Sequence, residues 1–579
     1  MIKYFVQYLK AIGYQKPSKL FPLVSITLLI SMLELCNVGL IFPIIQAFVN
    51  ADHFQSSIFV KIVREWTPFQ NIQAITIFFI VSFLLLTLIR GFISFIGYKR
   101  ITKQISRDEA DFAAQQFSNL LAKDFLYFSA TPSSKLIRDI AISIPMGYST
   151  ALQSIVIILS ESFILLGICA YLLLISVKIF ALVSTTFALS GLLYLRIVSP
   201  KITELGKKRH ESSHKTIGVI QQSLEGIAQI KNWQSENFFQ SLFYKEREKQ
   251  AHITASLNAM QNLPRVYFET ILMVSISVFL AYSVLNATNP HMFLSVVGFY
   301  IVSALRLLPS ILRLSIQTNT LISVKPSIEI ILNAASMFEN CLSPVQSMVP
   351  HRFDSSLSFQ NVSFSYETEQ VVENLSFHLK KGSVIGITGR SGQGKTTFVN
   401  ILVGLLTPSS GYIVLDGKRI KDSEQSNLLS MIAYVPQSIF LLDDTIKKNV
   451  AFGLHDSEID EKKVCWALCQ AQLNDFVDSL DDGINTSVGE RGSRLSGGQK
   501  QRLGIARAFY FDREIIIFDE ATASLDAETE SGFCNTLESY KDQKTIILIS
   551  HRTRPLSICN QVYEMKSGNL IEKRIYEHL

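Results

Sequence analysis

The stretch Gly389-Arg390-Ser391-Gly392-Gln393-Gly394-Lys395-Thr396, followed directly by Thr397, fits the pattern G-x-x-x-x-G-K-[ST]. An apolar, strand-like run, Val384-Ile385-Gly386-Ile387-Thr388, precedes it, and a helix-like run, 398–405, follows. Strand, glycine loop and helix form the setting in which backbone N–H groups and a helix N-terminus close around phosphates. There Lys395 would reach the β- and γ-phosphates of a nucleotide, and Thr396 would offer its hydroxyl to Mg²⁺. Further on, Ile515-Ile516-Ile517-Phe518-Asp519-Glu520 reads as a buried strand delivering two carboxylates to its C-terminal edge. Asp519 would hold Mg²⁺ through water, and Glu520 would polarise the attacking water. Leu495-Ser496-Gly497-Gly498-Gln499 stands about twenty residues before those acids.

That pentapeptide between a phosphate loop and an acid-tipped strand resembles the nucleotide-binding domain of ABC ATPases, over about 356–568. The resemblance implies further roles. Tyr366, after Val362-Ser363-Phe364-Ser365, matches the aromatic that stacks on adenine. Gln437, after Tyr434-Val435-Pro436, matches the glutamine that senses Mg²⁺ and γ-phosphate. Asp526, in Ser524-Leu525-Asp526, matches the loop that crosses to a partner ATPase, and His551 matches the histidine that holds γ-phosphate. In this family Leu495 to Gln499 close over the ATP bound to the other domain, with Ser496 reaching its γ-phosphate. One phosphate loop and one such pentapeptide therefore imply a dimer. A homodimer with two equivalent sites is the simplest arrangement and a heterodimer the alternative.

Those motifs stand behind a different kind of half. Mean hydropathy is +0.27 and 18% of the 579 residues are charged, values that fit a membrane protein with a soluble part. Long apolar runs fall at about 20–48, 72–97, 150–175, 179–198, 266–285 and 292–314, each near the length that crosses a bilayer. The two long connections between runs carry most of the Lys and Arg, from Lys99 to Arg138 and from Lys201 to Arg265. The short connections hold only Lys61, Arg64 and Lys178. The positive-inside rule places the long connections, the N-terminus and the ATPase in the cytoplasm. The net charge of +6 is thereby accounted for without nucleic acid.

The expected fold is an α-helical six-span transmembrane domain, 1–335, joined by a polar linker, 336–351, to an α/β nucleotide-binding domain, 352–579. Long polar extensions with turns near 125–138 and 216–229 resemble the transmembrane domain of ABC exporters. Phe54, Ile58, Phe59, Ile62, Val63 and Trp66 recur at helical spacing in the first outer connection, which reads as a helix on the membrane surface or a substrate-contacting element. Cys465 and Cys469, one helical turn apart with no second ligand pair nearby, read as packed thiols.

Among the arginines in or beside the spans are Arg90, Arg265, Arg306 and Arg313. Topology puts all four in the cytoplasmic half, with Glu34, Glu161 and Glu269 as acidic counterparts. Charges there need a cavity or a partner. They would suit either capture of an anionic headgroup, through guanidinium forks on phosphate, or pairing with the glutamates. Pro264-Arg265-Val266-Tyr267-Phe268-Glu269, Arg306-Leu307-Leu308-Pro309-Ser310 and Ser199-Pro200-Lys201 are similar to stretches of bacterial flippases for lipid-linked oligosaccharides. The resemblance implies an ATP-driven flippase in the bacterial inner membrane that moves a polyprenyl-pyrophosphate-linked glycan outward. In such a flippase the four arginines would engage the pyrophosphate. Rival expectations are an exporter of drugs, lipids or peptides and, outside transport, an ATP-gated channel or sensor.

Overall fold

The computed structural model describes residues 2–14, 17–49, 54–55, 58–66, 71–175, 177–286, 290–339, 352–367, 369–421 and 428–573. The chain divides into two compact units, one of Met1–Lys123 and Tyr127–Leu342, the other of Ser343–Leu579 with Asp124–Leu126. Most of the expected linker, 340–351, lies outside the described residues.

The first unit is helical. Its longer helices are α1 (Ile2–Ala11), α2 (Pro17–Val49), α3 (Ile58–Trp66), α4 (Ile72–Leu121), α5 (Ala151–Ile175), α6 (Val177–Glu225), α7 (Glu236–Asn286), α8 (Pro290–Ser323) and α9 (Lys325–Glu339). The six apolar runs fall within α2, α4, α5, α6, α7 and α8, save Thr150, which ends the turn before α5. Among the described residues, the segments Ser18–Ile41, Ile72–Leu121 and Ser133–Ala170 are long and apolar enough to cross a membrane. On α4, Ile77, Val81, Leu84, Leu88, Phe92 and Phe95 are exposed along one stripe at helical spacing, an outward apolar face suited to lipid. Helix α4 runs well past its apolar part, so the polar extension is a continuation of the span. The helices are tied by polar bonds as well as by packing. Ser31 and Ser160 hydroxyls lie 2.8 Å apart, and Asn319 donates to the Tyr194 hydroxyl at 2.7 Å. A Cβ on Gly147 would sit 2.7 Å from the Ser327 carbonyl, so only glycine lets α9 approach there. Two π-helical turns, Asp139–Ser143 and Met146–Thr150, lead into α5.

Helix α3 falls in the expected outer connection. Phe54, Val60 and Val63 are buried against Ile75 and Phe79 of α4, with Leu40 and Ile44 of α2 beside them. The Phe54 and Phe79 rings meet edge to face. The element packs on the ends of the spans, and Ile62 points outward.

The second unit holds a four-stranded antiparallel sheet, in the order β2-β1-β4-β5, and a six-stranded sheet, in the order β10-β9-β3-β8-β7-β6. The strands are β1 (Ser356–Tyr366), β2 (Glu369–Lys380), β3 (Val384–Thr388), β4 (Ser410–Leu415), β5 (Lys418–Arg419), β6 (Ile432–Val435), β7 (Ile515–Asp519), β8 (Thr545–Ile549), β9 (Gln561–Lys566) and β10 (Asn569–Lys573). In the larger sheet β3, β8, β7 and β6 run parallel, and β3 also runs parallel to β9. Strands β3, β7 and β8 are buried almost throughout, as their unbroken apolar runs require. Helix α10 (Lys395–Val403) packs Phe398 against Phe359 and Phe377 between the sheets. The helix-like run 398–405 is displaced: the helix starts at Lys395 and stops at Val403, because Gly404 takes φ +85° and caps it. The longer helices that follow are α11 (Glu461–Gln470), α12 (Gly497–Phe511) and α13 (Ala527–Ser539). On α11 the buried face is Val464, Ala467 and Leu468, so Cys465 and Cys469 are exposed and the expectation of packed thiols is corrected.

Candidate functional site

Parallel neighbours place their C-terminal ends along one edge. The order β3-β8-β7-β6 therefore sets side by side the glycine loop after β3, His551 beyond β8, Asp519 and Glu520 at the end of β7, and Gln437 beyond β6. Gly389 has φ +147°, Gly392 +81° and Gly394 +96°. A Cβ at Gly389 would meet the Met565 carbonyl at 2.6 Å, so the loop is closed to larger residues there. Arg390, Ser391 and Gly392 form the exposed rim of the loop. The Lys395 amine donates to the carbonyls of Gly389 and Arg390 and lies 3.4 Å from His551 Nε2. Thr396 is exposed in the first turn of α10, whereas Thr397 is buried beneath it. The Gln393 side chain faces away from this group and accepts the Ser567 N–H at 2.6 Å, which anchors the loop to the β9–β10 turn.

The two acids are held differently. Asp519 is buried and accepts a hydrogen bond from the Tyr434 hydroxyl at 3.0 Å. Burial lifts its carboxyl above the ordinary range, with the Tyr434 bond opposing the shift. Glu520 is partly exposed, with one oxygen 2.6 Å from Gln437 Nε2 and the other 3.6 Å from His551 Nε2. Its φ is +50°, an uncommon conformation for a residue with a side chain. The oxygens of Thr396, Asp519 and Gln437 are hard donors of the kind Mg²⁺ takes, and a cation there would offset the charge that burial disfavours on Asp519. The glycine loop, the Lys395 amine and the N-terminus of α10 fit a polyphosphate.

Tyr366 ends β1, partly exposed, with its ring edge to face on Phe364 at 4.9 Å. Ser496 caps α12 in a reciprocal arrangement: its hydroxyl accepts the Gln499 N–H and the Gln499 side chain accepts the Ser496 N–H at 2.8 Å. Ser496 and Gly497 are exposed, Leu495 packs partly against the core, and Gly498 lies close to the Ser524 carbonyl. Asp526 caps α13 by accepting from the Thr529 N–H at 2.9 Å, a bond that holds its carboxyl below the usual range. Sequence reasoning missed Tyr434 and Gln501. The first sits three residues before Gln437; the second follows the pentapeptide by less than one turn.

In the membrane unit Arg90 Nη1 lies 3.0 Å from Glu34 Oε1, and Arg313 Nε lies 3.0 Å from Glu161 Oε1. Arg313 Nη2 also approaches Glu34 at 4.0 Å. Residues of α2, α4, α5 and α8 thus share one cluster. Its carboxylates are the covered members: the side chains of Glu161 and Glu34 are 4% and 17% exposed, against 45% for Arg313 and 29% for Arg90. Arg265 is separate, on the exposed face of α7, and pairs with Glu269 at 3.1 Å. The Arg306 side chain lies outside the described residues.

The family described as ABC transporter transmembrane region matches residues 37–307, and the ABC transporter family proper matches 372–523. An ATP-dependent lipid A-core flippase of Thiobacillus denitrificans is 28% identical over 84% of this chain and 84% of its own. The lipid A-core flippase of Ralstonia nicotianae is 41% identical over 38% of each chain. A bacterial Atm1-family ABC exporter with ATP bound has the same fold, with a TM-score of 0.78 at 21% identity over 96% of this chain and 94% of that one. With one membrane region, one ATPase region and the exporter fold, the chain belongs to the ABC transporters as an exporter half-transporter whose ATP hydrolysis is coupled to transport.

Proposed function

We propose that this exporter is a homodimeric flippase that moves an anionic, glycan-bearing lipid, a polyprenyl-pyrophosphate-linked oligosaccharide, from the inner to the outer leaflet of a bacterial inner membrane. In this reading 1–335 is the transmembrane domain, 336–351 the linker and 352–579 the cytoplasmic ATPase. The observation that carries the cargo is the membrane cluster of Glu34, Arg90, Glu161 and Arg313, whose guanidinium groups are more open than the carboxylates that pair with them. Such a face supports recognition of phosphate oxygens. Arg265 and Arg306 extend the basic set. A second reading, a lipid A-core-type glycolipid, is favoured by the names of the relatives and by the same phosphate chemistry.

At the ATPase edge Tyr366 stacks on adenine. The loop from Gly389 to Thr397, with Arg390, Ser391, Gly392, Gln393, Gly394 and Lys395, holds the phosphates. Thr396, Asp519 and Gln437 hold Mg²⁺, which supplies Lewis-acid charge to phosphate oxygens when bound. Glu520 takes a proton from the attacking water, Gln437 orients its carboxylate, and His551 donates toward the γ-phosphate. Leu495, Ser496, Gly497, Gly498 and Gln499 cover the partner's nucleotide, and Asp526 supports the loop that reaches across.

Proteoliposomes given either cargo test the reading. Movement of the polyprenyl-linked glycan to the trans side that needs ATP and stops in Glu520→Gln is the expected result. Movement of only the lipid A-core cargo would select the second reading. Hydrolysis with movement of neither would overturn both.

A further inference from the structure

We infer that Gln501 is a positioning residue that fixes Glu520 and ties its aim to the pentapeptide helix α12. The inference rests on Glu520 acting as the base, as proposed above. Both peptide groups around Glu520 are held: its N–H donates to the Ile549 carbonyl at 2.9 Å, and its own carbonyl accepts from Gln501 Nε2 at 3.0 Å. A side-chain-bearing residue keeps φ near +50° only where its surroundings hold it there. Gln501 is one of those constraints, and it is 6% exposed.

The other end of the same amide is also engaged. Gln501 Oε1 accepts the Ser524 N–H at 3.1 Å and the Ser524 hydroxyl. One buried amide thus clamps the peptide after the base and the loop that runs into Asp526. Gln501 stands four residues after Gly497, on the same rigid helix as the exposed Ser496 cap. A shift of that helix end, such as closure on a nucleotide would impose, is passed by Gln501 to the backbone of Glu520. The carboxylate, 2.6 Å from Gln437 and 3.6 Å from His551, moves with it. Gln501 touches no reacting atom; it acts through Glu520.

Gln501→Glu keeps the size and the acceptor for Ser524 and removes the donor to the Glu520 carbonyl. In full-length protein in liposomes, kcat is expected to fall about 10- to 100-fold, with the Kd for ATP changed less than about 2-fold. In the Glu520→Gln background the same change is expected to alter the residual turnover by less than about 2-fold, because the residue it serves is already disabled. Gln501→Met, of similar volume, replaces the carboxylate variant if that one fails to fold. Wild-type kcat in the Gln501 variant, or an equal loss in both backgrounds, would overturn the inference while leaving Glu520 as base. Wild-type turnover in Glu520→Gln alone would instead remove the base assignment, and the inference with it.

Discussion

In the ATPase unit, Lys395, Gln437, Glu520 and His551 meet at the edge of a parallel sheet, Lys395 at the start of α10 and the others just beyond the ends of three different strands. In the membrane unit, Glu34, Arg90, Glu161 and Arg313 meet between four helices. The first group is held by backbone: strand register sets the spacing, and the side chains stay partly exposed and able to change partners. The second is itself a fastening, with two carboxylates covered and two guanidiniums set on them, so its charges balance within the cluster. A rigid frame permits loosely held reactive groups. Helices without such a frame use charged groups to hold one another, and any cargo that takes an arginine must compete with a glutamate already there.

The largest effect that would sharpen this contrast is at the sheet edge. Glu520→Gln is expected to lower kcat by about 10³-fold with ATP binding retained, measured by phosphate release in liposomes. A loss below about 10-fold would mean the edge positions its groups for something other than proton transfer. In the membrane unit, Arg313→Ala leaves the covered Glu161 carboxylate without its closest cation and is expected to cost about 3 kcal/mol or more, seen as a fall in Tm in detergent. Arg265→Ala breaks an exposed pair and is expected to cost less than about 1 kcal/mol. Equal costs for the two would dissolve the distinction between fastening and surface pair.

A smaller effect separates the units by pH. Asp416 accepts the N–H groups of Asp354, Ser355 and Ser356 at 2.6–2.9 Å. Partial burial pushes its carboxyl up, yet these bonds outweigh it and hold the group below the usual range. A depressed carboxyl stabilises the fold above its unfolded pKa of about 4, and the contribution fades as pH falls through the folded value. Asp416→Asn is therefore expected to lower Tm at pH 7 and to flatten its fall below about pH 4, read by thermal melts of the full chain. An unchanged acid limb would show that Asp416 does not govern it.

The ATPase edge was legible because its groups lie in short motifs whose spacing is local: Gly389 to Thr396 need only the strand before and the helix after. Strands β3, β7 and β8 were legible from unbroken apolar runs. The membrane cluster was not, because its pairs join residues more than fifty positions apart, and spacing along one helix says nothing about a neighbouring helix. The sequence left open whether Arg90 and Arg313 face cargo or glutamates; the structure places both on glutamates and leaves their outer sides open. Gln393 and Gln501 were hidden for another reason. Each sits inside or beside a recognised motif, and only the fold reveals that their side chains serve distant backbone groups.

The left-handed backbone at Glu520 has a further consequence. A residue with a Cβ is disfavoured there by about 1 kcal/mol, whereas glycine adopts the conformation freely. The chain therefore tolerates a local weakness so that an acid can stand at that point. Glu520→Gly is expected to abolish turnover and yet to melt higher than Glu520→Ala, by a margin of about 1 kcal/mol. A site set up in this way sits at odds with stability selection: a screen for thermostable variants of this transporter would be drawn toward replacing the residue proposed above as its base.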